Sequence, residues 1–393
     1  MIIYPQEWRT AIDIARPAKR WRESGVITAD QYVAIRERFR SPVYSPNLFI
    51  AIGLFVFTCL ALSGVYGLLF LMAGTSREIA IAMMMVVLGG GTYAALEVLI
   101  PAKKLYRSGI DEALLYCSLM MMIGGCVWIV SHINGGLSGV VSHIITLLFL
   151  LWGVMRFADR LVTAGAVYCI FAIVWEVLTG AGSAGRAMLP FAVMALGGLL
   201  YVLSVRTAGT TSLKAWDDAR TVVGLLGLAA LYCGGNYFAV RETQNGFAFT
   251  EPDAADMPLA WLFWFLTIAI PVLYVVAGLL RRDHLLLRAG LLAGAFSVVT
   301  VRYYVHLVPP ETALTLGGLL MIAMAGLALR ALRNPRGGFT GESLLKEPLQ
   351  ELDAEALLLA QTLHQARPAQ PEKEKGMEGG GGEFGGGGSS GSW

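Results

Sequence analysis

The chain has 393 residues, of which 56% are hydrophobic and only 15% charged, and its mean hydropathy is +0.61. That balance excludes an ordinary soluble enzyme, a disordered chain and a small disulfide-stapled domain, and it implies a protein that crosses a membrane several times. The formal net charge of +2 supplies no overall field for nucleic acid, so no nucleic-acid partner is expected and only the placement of charge is informative.

Residues 1–46 are polar and amphipathic, and no charged segment leads into a short apolar run, so no cleavable signal peptide is expected. Gly25 can end a first helix in the left-handed conformation, while Thr28 with Gln31 three residues on spells a capping box for a second, with Ile27 and Tyr32 at the staple positions. Tyr32, Ile35 and Phe39 fall on one helical face, and Trp8, Ile12 and Ala15 make a similar stripe before Pro17. The segment reads as a small cytoplasmic helical hairpin whose helices pack together or lie on the membrane surface. Arg36, Arg38 and Arg40, next to the first apolar run, read as a topology anchor.

The stretch from Trp21 through Gly25, Ile27, Gln31 and Ile35 to Phe39, followed by a Pro-containing linker and many apolar runs, resembles the bacterial predicted-membrane-protein family catalogued as domain of unknown function 2157. The resemblance rests on the first part of the chain, up to Phe39. It implies a bacterial inner-membrane location and brings no activity, substrate or catalytic residue with it.

A hydrocarbon core of about 30 Å needs about 20 apolar residues per helical crossing. Ten candidate spans meet that requirement: Asn47 to Ala73, Glu78 to Ile100, Glu112 to Ser131, Leu137 to Met155, Leu161 to Gly180, Ala187 to Val205, Ala219 to Val240, Leu259 to Leu280, Leu285 to Tyr304, and Glu311 to Leu332. The expected fold is therefore all-α, a polytopic membrane helix bundle over 47–333 with about ten transmembrane helices. With the N-terminus in the cytoplasm, 26 of the 30 Lys and Arg residues fall on the inside and only Arg77, Arg186, Arg241 and Arg302 on the outside. This bias is what the positive-inside rule demands, and it places both termini in the cytoplasm. The longest outside loop runs from Arg241 to Pro258 and carries Glu242, Glu251, Asp253 and Asp256.

Residues 334–375 form a cytoplasmic linker and, after Pro348, an amphipathic helix with Leu352, Ala356, Leu359 and Leu363 on one face. Glu342 to His364 carries a net −4, which complements the N-terminal hairpin with its eight Lys/Arg against five Asp/Glu, so docking of the two cytoplasmic segments is one expectation. Residues 376–393 are a flexible Gly-rich tail, similar to the Gly-rich, Trp-ending tails of bacterial membrane proteins associated with TPM domains. Phe384 and Trp393 are candidate partner contacts on that tail; the alternative is a plain spacer.

Polar groups inside spans carry the remaining information, since each costs about 2.5–3.5 kcal/mol at the bilayer centre if unpaired. Glu176, Asn236 and Arg302, with His132, His143, Tyr303 and His306, all fall near the outer ends of their spans. They form a candidate outer-leaflet polar site for a polar ligand or lipid head group; the competing reading is a Glu176–Arg302 ion pair within an interfacial aromatic belt. No metal or other cofactor is expected, because no His or Cys spacing suits zinc and the five cysteines lie inside apolar runs. No residues combine into a catalytic set. Gly290 and Gly294 make a GxxxG, and Gly197-Gly198 permits close helix contact. If the spans formed inverted halves, Gly89-Gly90-Gly91 would match Gly234-Gly235-Asn236 as paired helix breaks. The expected function is a non-enzymatic membrane component that assembles with or senses a protein partner through its cytoplasmic termini. Alternatives are a carrier for a small polar solute and a membrane-embedded enzyme acting on a lipid-linked substrate.

Overall fold

The computed structural model describes residues 2–304 apart from positions 24, 26, 40–42, 75–76, 137, 209–214, 245–258 and 282, together with Thr315 and Leu319. The tenth expected span, the acidic helix and the Gly-rich tail, and with them His306, Phe384 and Trp393, lie outside the described residues.

The described chain is a polytopic helix bundle without strands. A hairpin of α1 (Gln6–Glu23) and α2 (Ala29–Arg38) precedes the long apolar helices α3 (Leu48–Ala73), α4 (Glu78–Lys103), α5 (Ile110–Ile133), α6 (Gly139–Phe157), α7 (Arg160–Gly180) and α8 (Gly182–Arg206). There follow α9 (Asp217–Gly235), a short α10 (Tyr237–Gln244), α11 (Ala260–Arg281) and α12 (His284–Tyr304). Eight of these are long and apolar enough to cross a membrane, and α9 and α10, bent by 74° at Asn236, meet the same requirement only together, which makes nine if the bent pair is one span. The seventh expected span is thus interrupted at Asn236 rather than continuous.

Local chemistry sets the boundaries. Thr28 Oγ1 accepts from the Gln31 amide at 3.2 Å and Gln31 Oε1 from the Thr28 amide at 2.9 Å, the reciprocal cap that starts α2. Gly25, at φ +73°, turns the chain between the two helices. Asn47 and Asp159 cap α3 and α7 by accepting from the amides of Ile50 and Val162.

Two larger apolar cores and a smaller one of Tyr237, Val240 and Phe263 hold the described helices together. Leu96, Ile100, Leu114, Leu119, Phe157 and Val162 join α4, α5, α6 and α7. Leu228, Tyr232, Ile270, Tyr274 and Leu286 join α9, α11 and α12. Between them α8 crosses α9 backbone on backbone: a Cβ at Gly197 would stand 2.5 Å from the Gly227 carbonyl oxygen, and one at Gly227 would stand 2.7 Å from that of Gly197. Gly89 makes an equally close contact with the backbone of α5 at Ser118 and Met122, and α4 runs unbroken through Gly89-Gly90-Gly91. Gly89-Gly90-Gly91 therefore does not pair with Gly234-Gly235-Asn236 as matched breaks: among the described residues only the α9–α10 pair is interrupted in this way. Pro271 does not break α11 either. It removes the amide that would serve the Thr267 carbonyl, and Ser297 Oγ on α12 donates to that oxygen at 2.6 Å instead.

The connectors rich in Lys and Arg meet at one end of the bundle. Asp218 at the start of α9 pairs with Arg107 of the α4–α5 connector and with Arg160 at the start of α7, and Tyr201 near the end of α8 donates to Asp283 between α11 and α12 at 2.9 Å. The N-terminal segment is fastened to the same basic end. The Ile3 amide donates to the Arg156 carbonyl at 3.0 Å, the Tyr4 hydroxyl donates to Asp111 at 3.0 Å, and Ile3, Tyr4 and Trp8 pack on the first core. On the other side of the hairpin, Tyr44 exchanges backbone hydrogen bonds with Lys104 and Tyr106. Asp111, 2% exposed, also accepts from the amides of Arg107 and Ser108 and from the Ser108 hydroxyl, at 2.8 to 2.9 Å. Its position in the first turn of α5 adds the favourable end of the helix dipole.

Candidate functional site

The end opposite the basic connectors holds the polar residues singled out in the sequence, and it divides them into two groups. On α6 and α7, the Glu176 carboxylate packs directly on Gly139, where a side chain would displace it, and stands 3.4 Å from His143 Nδ1. The same imidazole nitrogen lies 2.8 Å from the Gly139 carbonyl oxygen. The first turn of α6 thus supplies both a partner and a positive dipole end for the carboxylate. Glu176 forms no ion pair with Arg302 among the described residues, so the cross-bundle pin between the fifth and ninth spans gives way to a local pair between neighbouring helices. The pair faces a cavity of about 450 Å3 lined also by Tyr168, Phe171 and Trp175. That lining holds no serine, threonine or cysteine to act as a nucleophile.

The second group is built around Asn236. Gly234 and Gly235 end α9 against Pro190, Met194 and Ile270, where a Cβ would stand 2.4–2.8 Å from its neighbours. Asn236 then takes extended backbone angles, and its side-chain oxygen accepts from the Ala239 amide at 3.1 Å, so that it caps α10. The Tyr237 amide, another donor left over by the break, reaches Thr267 Oγ1 at 2.9 Å. From Asn236 Nδ2 a relay of hydrogen bonds runs to the Tyr232 hydroxyl at 2.9 Å, on to Ser297 Oγ at 2.8 Å, and ends on the Thr267 carbonyl. Asn236 Nδ2 also donates to Thr300 at 3.0 Å. The side chain of Asn236 and the amides of Tyr237 and Ala239 are thus paired, as polar groups at an interruption inside a bundle need to be.

Above the break the arrangement changes. Arg241 and Glu242, which the sequence places in an outside loop, lie on α10 and are 3% and 2% exposed. The Arg241 guanidinium sits 5.0 Å from the centre of the Tyr304 ring and 5.9 Å from that of Tyr237. Tyr237 stacks on Trp264 at 4.6 Å, and Tyr304 meets Tyr237 edge-on at 5.0 Å. Tyr303 joins this aromatic wall through Tyr304 and Phe238. Both carboxylate oxygens of Glu242 are enclosed without a hydrogen-bond partner, and so is the Tyr304 hydroxyl, close enough to Glu242 to interact electrostatically. Enclosed polar groups are nearly always satisfied, so three unpartnered oxygens close together set this place apart from the break below it.

The two groups are neighbours. A cavity of about 280 Å3 beside the break, lined by Cys233, Gly234, Ala239, Val240 and Thr243, shares Phe171 and Trp175 with the Glu176 cavity. Of the residues named from sequence, Glu176 and His143 come together, Asn236 and Tyr303 belong to the second group, and Arg302 is half-buried on α12. His132 is exposed in the last turn of α5. No group of three or more His, Cys, Asp or Glu residues that could hold a metal occurs among the described residues. No family model matches the chain, and no curated protein or solved structure matches it.

Proposed function

We propose that this integral membrane protein is a non-enzymatic sensing or assembly component of a bacterial inner membrane, with both termini in the cytoplasm and with membership of the family that its first forty residues resemble. The observation that carries this reading is the clasp at the basic end. The terminal hairpin is tied through Ile3 and Tyr4 to α5 and α6, so a shift of those helices moves a segment accessible to a soluble partner. The Lys/Arg distribution supports the orientation. The Gly-rich tail, with Phe384 and Trp393, offers a second tethered contact for a protein partner.

A second reading, a carrier for a small polar solute, is favoured by one feature: the crossing broken at Asn236, with Glu242 unpartnered on its short half-helix. Broken helices line the binding sites of many carriers. Both readings meet in one experiment on full-length protein in sealed liposomes, using labelled amino acids and polyamines as probes. A carrier accumulates one of them, and Glu242→Gln abolishes the uptake. A sensing component shows no uptake, while addition of a bound probe alters protease cleavage within residues 1–46. Uptake unaffected by Glu242→Gln, or neither uptake nor a change in cleavage, counts against both. A reporter enzyme fused after Arg333 tests the orientation, and activity confined to the periplasm would contradict it.

A further inference from the structure

We infer that the groove between α4 and α6 is a seat for one phospholipid of the surrounding bilayer, of the kind whose headgroup carries a phosphate and a primary ammonium. α4 and α6 each pack on α5 but scarcely on one another, which leaves a gap floored by α5. The gap is an apolar cavity of about 560 Å3 lined by Tyr93, Leu119, Met122, Leu148, Phe149 and Trp152. Leu148 and Trp152 are 64% and 59% exposed, so the groove opens toward the lipid. In a bilayer such a channel is filled by hydrocarbon, and an acyl chain lying along the helices has the matching shape.

The groove's charged end defines the headgroup. Towards the basic end it continues, past Trp152, into a second cavity of about 390 Å3 bordered by Glu97 and Arg156. Arg156 is in the last turn of α6, at the depth where headgroups lie. Its guanidinium holds Glu97 by two bonds, Nε to Oε1 at 2.8 Å and a terminal nitrogen to Oε2 at 2.9 Å. The two side chains nevertheless remain 28% and 32% exposed. An ion pair half-enclosed at that depth has given up part of its water. A zwitterionic headgroup remedies this by setting its phosphate against Arg156 and its ammonium against Glu97. A primary ammonium has N–H donors for the carboxylate, whereas a trimethylammonium has none. A purely anionic headgroup would meet Arg156 and be repelled by Glu97. Across the groove mouth, Trp152 Nε1 donates to the Tyr93 hydroxyl at 2.8 Å, bridging the walls where chain gives way to headgroup. This inference stands whether the protein senses or carries.

The test is native mass spectrometry of the full-length protein released from vesicles of equal phosphatidylethanolamine, phosphatidylcholine and phosphatidylglycerol. One phosphatidylethanolamine should be retained in preference to the other two. Arg156→Gln and Glu97→Gln should each reduce that retention about tenfold, the equivalent of one charge-assisted hydrogen bond. Leu148→Trp, a change on the exposed groove wall that leaves the ion pair intact, should displace the lipid without lowering the melting temperature. Equal retention of the three lipids, preference for phosphatidylglycerol, or retention unchanged in Leu148→Trp and in both charge variants would overturn the assignment, as would finding no lipid retained by the unmodified protein.

Discussion

At the basic end Asp111, 2% exposed, accepts hydrogen bonds from Tyr4, from Ser108 twice and from the Arg107 amide, whereas at the far end Glu242, equally enclosed, accepts none. The two carboxylates differ in purpose rather than in burial. Asp111 ties a connector, the start of a helix and the N-terminal segment into one unit, and its charge is neutralised by dipoles the fold itself supplies. Glu242 stands beside an aromatic wall on a half-helix whose start is capped by Asn236 and Thr267, so its unmet acceptors are not a by-product of the break. A satisfied buried charge belongs to the framework; Glu242, with the Tyr304 hydroxyl beside it also unpartnered, does not serve the framework in that way.

The largest expected effects lie at the basic end. Gly109 adopts φ +89° with the Ala51 backbone against it, so Gly109→Ala combines backbone strain with a clash and should lower unfolding free energy by about 3 kcal/mol or more, measured by thermal unfolding in detergent. Asp111→Asn keeps the shape but turns one oxygen into a donor facing donors, and a loss of about 2–3 kcal/mol is expected in the same assay. Asn236→Ala removes the α10 cap and the relay to Tyr232, for about 1–2 kcal/mol. Tyr4→Phe loses one hydrogen bond, about 1 kcal/mol, and should show chiefly as faster proteolysis within the hairpin.

The clasp also predicts a pH dependence. Burial, reinforced by the neighbouring Asp111 carboxylate, holds the Tyr4 hydroxyl well above its ordinary value. A released Tyr4 ionises near pH 10. Since the docked value is the higher one, the clasp's contribution is complete below about pH 10 and is lost as pH rises toward the docked value. Limited proteolysis of residues 1–46 should therefore be constant through neutral pH and accelerate above about pH 10 in the unmodified protein but not in Tyr4→Phe, where the clasp is already weakened.

Much of the framework was legible in the chain. Eight of the ten expected spans stand as long apolar helices among the described residues, and a further one as the bent α9–α10 pair, because runs of about 20 apolar residues have few alternatives to spanning a bilayer. The Thr28–Gln31 capping box and Gly25 turn were readable because each is decided within a few residues. What escaped the sequence depends on long-range contact. Ile3 and Tyr4 carry no local sign that their partners are Arg156 and Asp111. Depth alone grouped Glu176 with Arg302, although the helix beside Glu176 is the one that carries His143. Arg241 and Glu242 read as loop because they follow the apolar run; Gly234-Gly235-Asn236 is legible as a possible break, but not that Asn236 also caps a second short helix that carries both residues inward.

The difference between the two ends is tested most directly by comparing Asp111→Asn with Glu242→Met in the same detergent without ligand. Removing the orphaned carboxylate should raise the unfolding free energy by about 1 kcal/mol or more, because an uncompensated charge is replaced by an apolar side chain of similar size, while Asp111→Asn lowers it. Shifts of opposite sign are the predicted result. A loss of stability in Glu242→Met comparable to that of Asp111→Asn would show that Glu242 is part of the structural framework and would contradict the account.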